Sequence, residues 1–193
     1  MRLRTVVTVL AFSFLAMVGF SEVPAPIPQP YNVAEAYRVY SVLLPGEESY
    51  GFATKTIVIR EESVIEAKLD LNCISKDAAA KFKDAIDDYS VQSRDERFLQ
   101  RSFESEKPYE IVNSATIQAL MAEGGWKGFY KRFPDSGGYH IFSAVGFNKD
   151  KTLAVVYSGS SCEGLCGRWS FHLLERVDRK WRTVPGVQCM MVS

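Results

Sequence analysis

Four apolar runs close the chain: Tyr139–Phe147 (YHIFSAVGF), Thr152–Gly159 (TLAVVYSG), Arg168–Val177 (RWSFHLLERV) and Trp181–Gln188 (WRTVPGVQ). Each is dense in β-branched and aromatic residues and has the length of a strand. The links between them are short: Asn148-Lys149-Asp150-Lys151 and Asp178-Arg179-Lys180 are hairpin-type turns. Links of that length cannot carry the crossover that parallel neighbours need, so the runs predict an antiparallel meander.

The residues upstream read differently. Asn32 is an N-cap for a helix over Val33–Leu44, with Val33, Tyr37, Tyr40 and Leu44 on one face and Pro45-Gly46 ending it. Thr54–Arg60 is β-branched and reads as a strand, and Val64–Leu71 alternates in part and is expected as a second one. Ser75 caps a helix to about Tyr89, with Phe82, Ile86 and Tyr89 inward and Lys76, Lys83, Asp84, Asp87 and Asp88 toward water. Residues 90–108 are charged and interrupted, with one helical turn expected at Phe98–Phe103. Ser114 caps Ala115–Glu123, Gly124-Gly125 closes that helix, and Trp126–Phe133 forms another that Pro134 stops. Helices gather in the N-terminal half and strands in the C-terminal half. That segregation predicts an α+β fold, with N-terminal helices packed on one face of a C-terminal antiparallel β-meander.

The domain is preceded by other chemistry. Arg2 and Arg4 make a positive start, and Val6–Phe20 carries no charge, which is the pattern and length of a secretory signal core and short of a membrane span. Gly19 and Ser21 are the small residues at −3 and −1 of a cut before Glu22; an uncleaved anchor is the alternative. No cysteine follows to take a lipid, and no second long apolar run follows either. Residues 22–31, with EVPAPIPQP at their start, favour extended backbone and read as a linker. The expected organisation is a signal peptide over 1–21, a Pro-rich linker over 22–31 and a single α+β domain over 32–193.

Charge is balanced, 23 Lys+Arg against 23 Asp+Glu, so no basic field argues for nucleic acid. The chain has four cysteines. Behind an export signal, Cys162 and Cys166 in one strand-connecting loop read as a disulfide, and Cys73–Cys189 then follows among the three pairings four cysteines allow. A redox role is disfavoured because the spacing is C-x3-C. A metal site would take Cys162, Cys166 and His172, with His140 or a carboxylate as the fourth ligand. Gly159-Ser160-Ser161-Cys162-Glu163 fails the G-x-S-x-G elbow of a serine hydrolase, and neither His140 nor His172 has a partner at motif spacing. No P-loop, G-x-G-x-x-G or H-E-x-x-H occurs, so no cofactor is expected. Asp84, Asp87 and Asp88 read as a solvated helix face. Trp126, Phe129, Tyr130 and Phe133 read as core, with a ligand-binding aromatic surface as the alternative.

Three motifs carry a resemblance: W-x-x-F-Y-x-x-F-P-x-S-x-G from Trp126, F-S-x-V-G-F-N-x-D-x-T-x-A-x-V-Y from Phe142, and C-x-G-L-C-G from Cys162. With L-L-E-R and Lys180-Trp181 they resemble a group of exported bacterial proteins of unknown function. Ala36–Ser41 and Ile57–Ile59 match its N-terminal half. The group's turn before Trp181 usually carries a glycine, where this chain has Asp178-Arg179-Lys180, and the pair Cys73 and Cys189 is not a feature of the group. The resemblance implies export and a shared fold and supplies no catalytic residue. The expectation is an exported, non-catalytic binding or envelope-associated domain of unknown partner. The rivals are a secreted hydrolase and a metal or redox module on the Cys162–Cys166 loop.

Overall fold

The computed structural model describes residues 29–44, 54–65, 67–164, 166–185 and 189–192, the last of these by backbone alone. The expected signal peptide and most of the linker lie outside the described residues. The elements run β1 (Gln29–Pro30), α1 (Ala34–Leu43), β2 (Thr56–Arg60), α2 (Lys76–Lys81), α3 (Lys83–Gln92), β3 (Arg97–Phe98), β4 (Tyr109–Val112), α4 (Ser114–Arg132), β5 (Ser136–Phe142), β6 (Gly146–Phe147), β7 (Leu153–Ser161), β8 (Arg168–Val177), β9 (Lys180–Thr183) and β10 (Cys189–Val192). Helices plus one large mixed sheet make the fold α+β.

The main sheet has the order β10-β8-β7-β5-β2-β4, with β6 on β7 and β9 on β8. From β5 onward every pairing is antiparallel, and β7 and β8 pair along eight positions, from Leu153↔Glu175 to Ser160↔Arg168. The first run becomes β5 and β6, the second β7 and the third β8, and the fourth opens with β9. The break between β5 and β6 is chemical. Ser143 donates its backbone N–H to the Tyr157 carbonyl, while its hydroxyl, in place of a carbonyl, accepts from Tyr157 N–H. The freed Ser143 carbonyl accepts from the Tyr40 hydroxyl of α1.

Two expectations need correction. The meander is not the whole sheet, because β2 and β4 extend it in parallel beside β5. The sequence assigns no element to Tyr109–Val112, since these four residues, YEIV, are too few to show a period. Nor do the helices share one face. On β2, Ile57 and Ile59 pack with Tyr37, Tyr40, Phe142 and Val156 beneath α1, while Val58 packs with Ile117, Phe129 and Phe133 of α4 on the reverse. Helices α2 and α3 cover the reverse of β7 and β8 through Phe82, Ala85, Tyr89, Val155 and Phe171.

Smaller differences have local causes. Val64 only bridges Ser143, and the chain then leaves the sheet to run along α3, where the Tyr89 hydroxyl donates to the Ala67 carbonyl. Among the described residues of the strand expected over 64–71, only Val64 pairs with the sheet, and Leu71 opens a 3-10 turn. The expected turn at 98–103 is β3, parallel to β1, followed by Leu99 and Phe103 plugging the core under α1. The domain begins before residue 32: Gln29–Pro30 pair with β3, and buried Tyr31 accepts the Val145 N–H on its hydroxyl. Asn113, not Ser114, caps α4 by accepting from Thr116 N–H. The break at Gly124-Gly125 is present as expected, with Gly125 at φ +57°. No helix among the described residues is long and apolar enough to cross a membrane.

Candidate functional site

The loop joining β7 to β8 is where sequence signals and structure converge. Cys162 and Cys166 are disulfide-bonded with Cα atoms 5.8 Å apart, within the span a disulfide bridges. Gly164 turns the ring at φ +82°. Gly138 of β5, at φ +101°, abuts the loop so closely that a Cβ there would strike the Ser161 carbonyl and Cys162.

Aromatic side chains gather beside this loop on the face that carries α4. After the Gly124-Gly125 break, the last turns of α4 fold back until Gly128 lies against the Leu120 carbonyl. Phe129 and Phe133 then point into the core. Trp126 and Tyr130 remain half-buried at its margin. The Trp126 ring stacks with Tyr130 at 5.7 Å and 28° and with Tyr139 of β5 at 6.0 Å and 24°. Glu163 of the disulfide loop donates its N–H to the Tyr130 hydroxyl at 3.4 Å, which joins loop to ring. On the same face of β8, Trp169 lies across Gly159 of β7, where any Cβ would collide with its indole. Tyr130, Tyr139, Trp126 and Trp169 are all half-buried, large and close to one rigid loop. All four residues of the expected aromatic cluster pack as core: Phe129 and Phe133 are buried, and Trp126 and Tyr130 are half-buried against them. Tyr139 and Trp169 escaped that expectation because strand alternation, not helical spacing, delivers them.

The opposite face of β5, β7 and β8 carries a second constellation. There the apolar core under α1 gives way to His140, Ser160, Ser158, Ser170 and His172. His140 lies across from Ser160, and Ser158 across from Ser170. Ser158 Oγ and His172 Nε2 are hydrogen-bonded at 2.9 Å. His172 thus has a partner that motif spacing could not show, since the pair meets across a hairpin. Burial pushes both histidines down to about 4, because desolvation disfavours the imidazolium. At neutral pH each is an uncharged imidazole, able to donate from one nitrogen and accept at the other.

The remaining expected site residues are dispersed. Cys73 ends a 3-10 turn at Leu71–Cys73, shortly before α2 in the chain, and is disulfide-bonded. Cys189 opens β10 opposite Phe171, and its side chain lies outside the described residues. The metal set Cys162, Cys166 and His172 is not assembled, because the two sulfurs bond each other and His172 bonds Ser158. Asp87 pairs with Lys83 on α3, but Asp88 is not a solvated residue only: it accepts the Phe147 N–H at 2.8 Å and ties α3 to β6.

No family model, no curated protein and no solved structure matches the chain.

Proposed function

We propose that this is an exported binding domain that acts without catalysis, through the half-exposed aromatic surface of Trp126, Tyr130, Tyr139 and Trp169. The carrying observation is the stack of Trp126 on Tyr130 and Tyr139, linked to the Cys162–Cys166 loop by the Glu163–Tyr130 hydrogen bond. Large, partly exposed rings grouped beside a disulfide-closed loop supply contact area at little entropy cost, because their positions are fixed before a ligand arrives. Export rests on the leader pattern of residues 1–21 and on the disulfide, a bond of oxidising compartments. Kinship with the exported bacterial group, a location in the periplasm or medium, and a Cys73–Cys189 bridge belong to the same proposal. Capture from the host's envelope fraction tests it. The wild-type protein should retain a partner or ligand that Trp126→Ala and Trp169→Leu release while both variants stay folded. Equal retention by all three would end the reading.

A second reading, a secreted hydrolase, is favoured by the Ser158–His172 hydrogen bond, a nucleophile–base geometry. Against it, Ser158 lies within a flat paired strand, and an imidazole held at about 4 is a poor proton acceptor at neutral pH. A fluorophosphonate probe decides between them. An adduct on Ser158 that His172→Gln suppresses would establish the hydrolase, and an unlabelled serine leaves the binding reading standing.

A further inference from the structure

A groove of about 840 Å³ is lined by the loop of residues 67–71 and by α3, and its size falls inside the roughly 300–1,000 Å³ range of small-molecule sites. Its walls are apolar and held in place. Ala67, Leu69 and Ile86 pack against the core around Phe82, Tyr89 and Phe171. The Tyr89 hydroxyl pins the loop to α3 by donating to the Ala67 carbonyl at 3.0 Å. Leu71 continues the apolar lining outward and is 53% exposed, so part of this lining stays in water.

The charge around the lining is one-sided. Lys68 and Arg94 both line the groove, and neither makes an ion pair among the described residues. Arg94 donates its Nε–H to the Ser90 carbonyl, a neutral partner that leaves the guanidinium charge uncompensated. The carboxylate that lines the groove, Asp87, is paired with Lys83. The Asp70 carboxylate accepts from the Asn72 backbone and side chain. The Ser90 hydroxyl donates to the Ile86 carbonyl, so the hydroxyl hydrogens of Tyr89 and Ser90 are both already used. An apolar channel with two uncompensated cations and no free hydroxyl donor on α3 complements an apolar chain that ends in one anionic group. It does not suit a polyol or a cation.

We propose that this groove binds a free long-chain carboxylate, with its aliphatic chain along Leu69, Leu71 and Ile86 and its carboxylate facing Lys68 and Arg94. Covering apolar lining with a chain removes both from water, and a preformed wall keeps the ordering cost low. The apolar side chains line a concavity, which a single chain enters and the flat surface of a bilayer does not. The groove shares no residue with the aromatic surface proposed above.

Isothermal titration calorimetry on the oxidised full chain tests it. The probes are dodecanoate below its micelle-forming concentration, dodecyltrimethylammonium as the same chain with the opposite charge, and phosphatidylglycerol vesicles as the bilayer source. Saturable binding of dodecanoate is expected, with the ammonium amphiphile bound about tenfold more weakly. Leu71→Asp should weaken dodecanoate binding about tenfold, and Lys68→Gln combined with Arg94→Gln about fivefold, the second effect shrinking at high salt. All three side chains are exposed, so these variants leave the core intact. Hydrogen exchange with dodecanoate bound should show added protection over residues 67–71 and 86–94. No saturable binding, equal binding of the ammonium amphiphile, or dodecanoate binding indifferent to all three substitutions would each overturn the proposal. Vesicle binding that depends on Leu71, without binding of free dodecanoate, would overturn it in favour of a membrane surface.

Discussion

At the scale of single residues, the turn between β8 and β9 carries visible backbone strain. Asp178 and Arg179 both have positive φ, 51° and 66°, the signature of a two-residue hairpin turn that favours Asn-Gly. A left-handed conformation costs a non-glycine residue roughly 1 kcal/mol. Arg179→Gly is expected to stabilise the protein by about 0.5–1 kcal/mol, raising the thermal midpoint by about 1–4 °C in a domain of this size. An unchanged or lower midpoint would contradict the turn assignment. Gly159 makes the opposite case. Because the Trp169 indole occupies the space of its Cβ, Gly159→Val should destabilise by about 2–3 kcal/mol and move the fluorescence of Trp169.

The elements are joined by a few polar locks, and their behaviour with pH follows from which form is held. Glu35 of α1 accepts from the Trp181 indole N–H at 2.7 Å and from Arg176 at 3.1 Å, and pairs with Arg38. Burial alone would raise its pKa, but these partners outweigh it and hold the carboxyl below its ordinary value. Its contribution is therefore full above the unfolded-state value near 4.5 and is lost as pH falls through the lower folded value. Glu35→Ala should cost about 2–3 kcal/mol at pH 7 and less at pH 3, measured by urea unfolding. A cost that does not fall at pH 3 would show that the lock is packing and not charge. The disulfides are the covalent locks. Non-reducing peptide mapping should find Cys162–Cys166, and it should find Cys73–Cys189 as the bridge between the α2 region and β10. Free Cys73 and Cys189 in oxidised protein would remove the second bridge.

How much was legible also depends on the element. Long, periodic or capped segments declared themselves: the four C-terminal runs, α1, and the α4 break at Gly124-Gly125. Short pieces did not, because β1, β3 and β4 are made by what they pair with and not by their own composition. The strand expected at 64–71 has apolar residues at alternate positions, but Ile65 and Leu71 stay exposed because the chain lies along α3. The Ser158–His172 pair and the Trp126–Tyr139 stack were hidden for a related reason. Each joins residues whose meeting depends on strand register, which a motif search does not see. The disulfide loop, a local feature, was readable at once.

For the whole molecule, both half-buried histidines resist protonation together. Their folded-state values near 4 lie below the ordinary 6.5, so the unfolded chain binds more protons across that interval. Stability is complete above about pH 6.5, falls as pH drops toward 4, and levels off below that from this source. Replacing both with Gln should flatten the decline between pH 6.5 and 4, with the double variant losing less on acidification than wild type. An unchanged slope would show that neither histidine is held neutral. Such a domain tolerates neutral surroundings best and is organised around a rigid sheet with helices on both sides.

The central claim is that this scaffold presents the aromatic surface beside the Cys162–Cys166 loop to a partner outside the cytoplasm. Amide hydrogen-exchange mapping of the oxidised protein, alone and with its host's envelope fraction, tests that claim most directly. The account predicts added protection confined to residues 124–131 and 159–169, absent in Trp126→Ala. Protection that fell instead on α1 or β4, or a wild-type map unchanged by the envelope fraction, would contradict it.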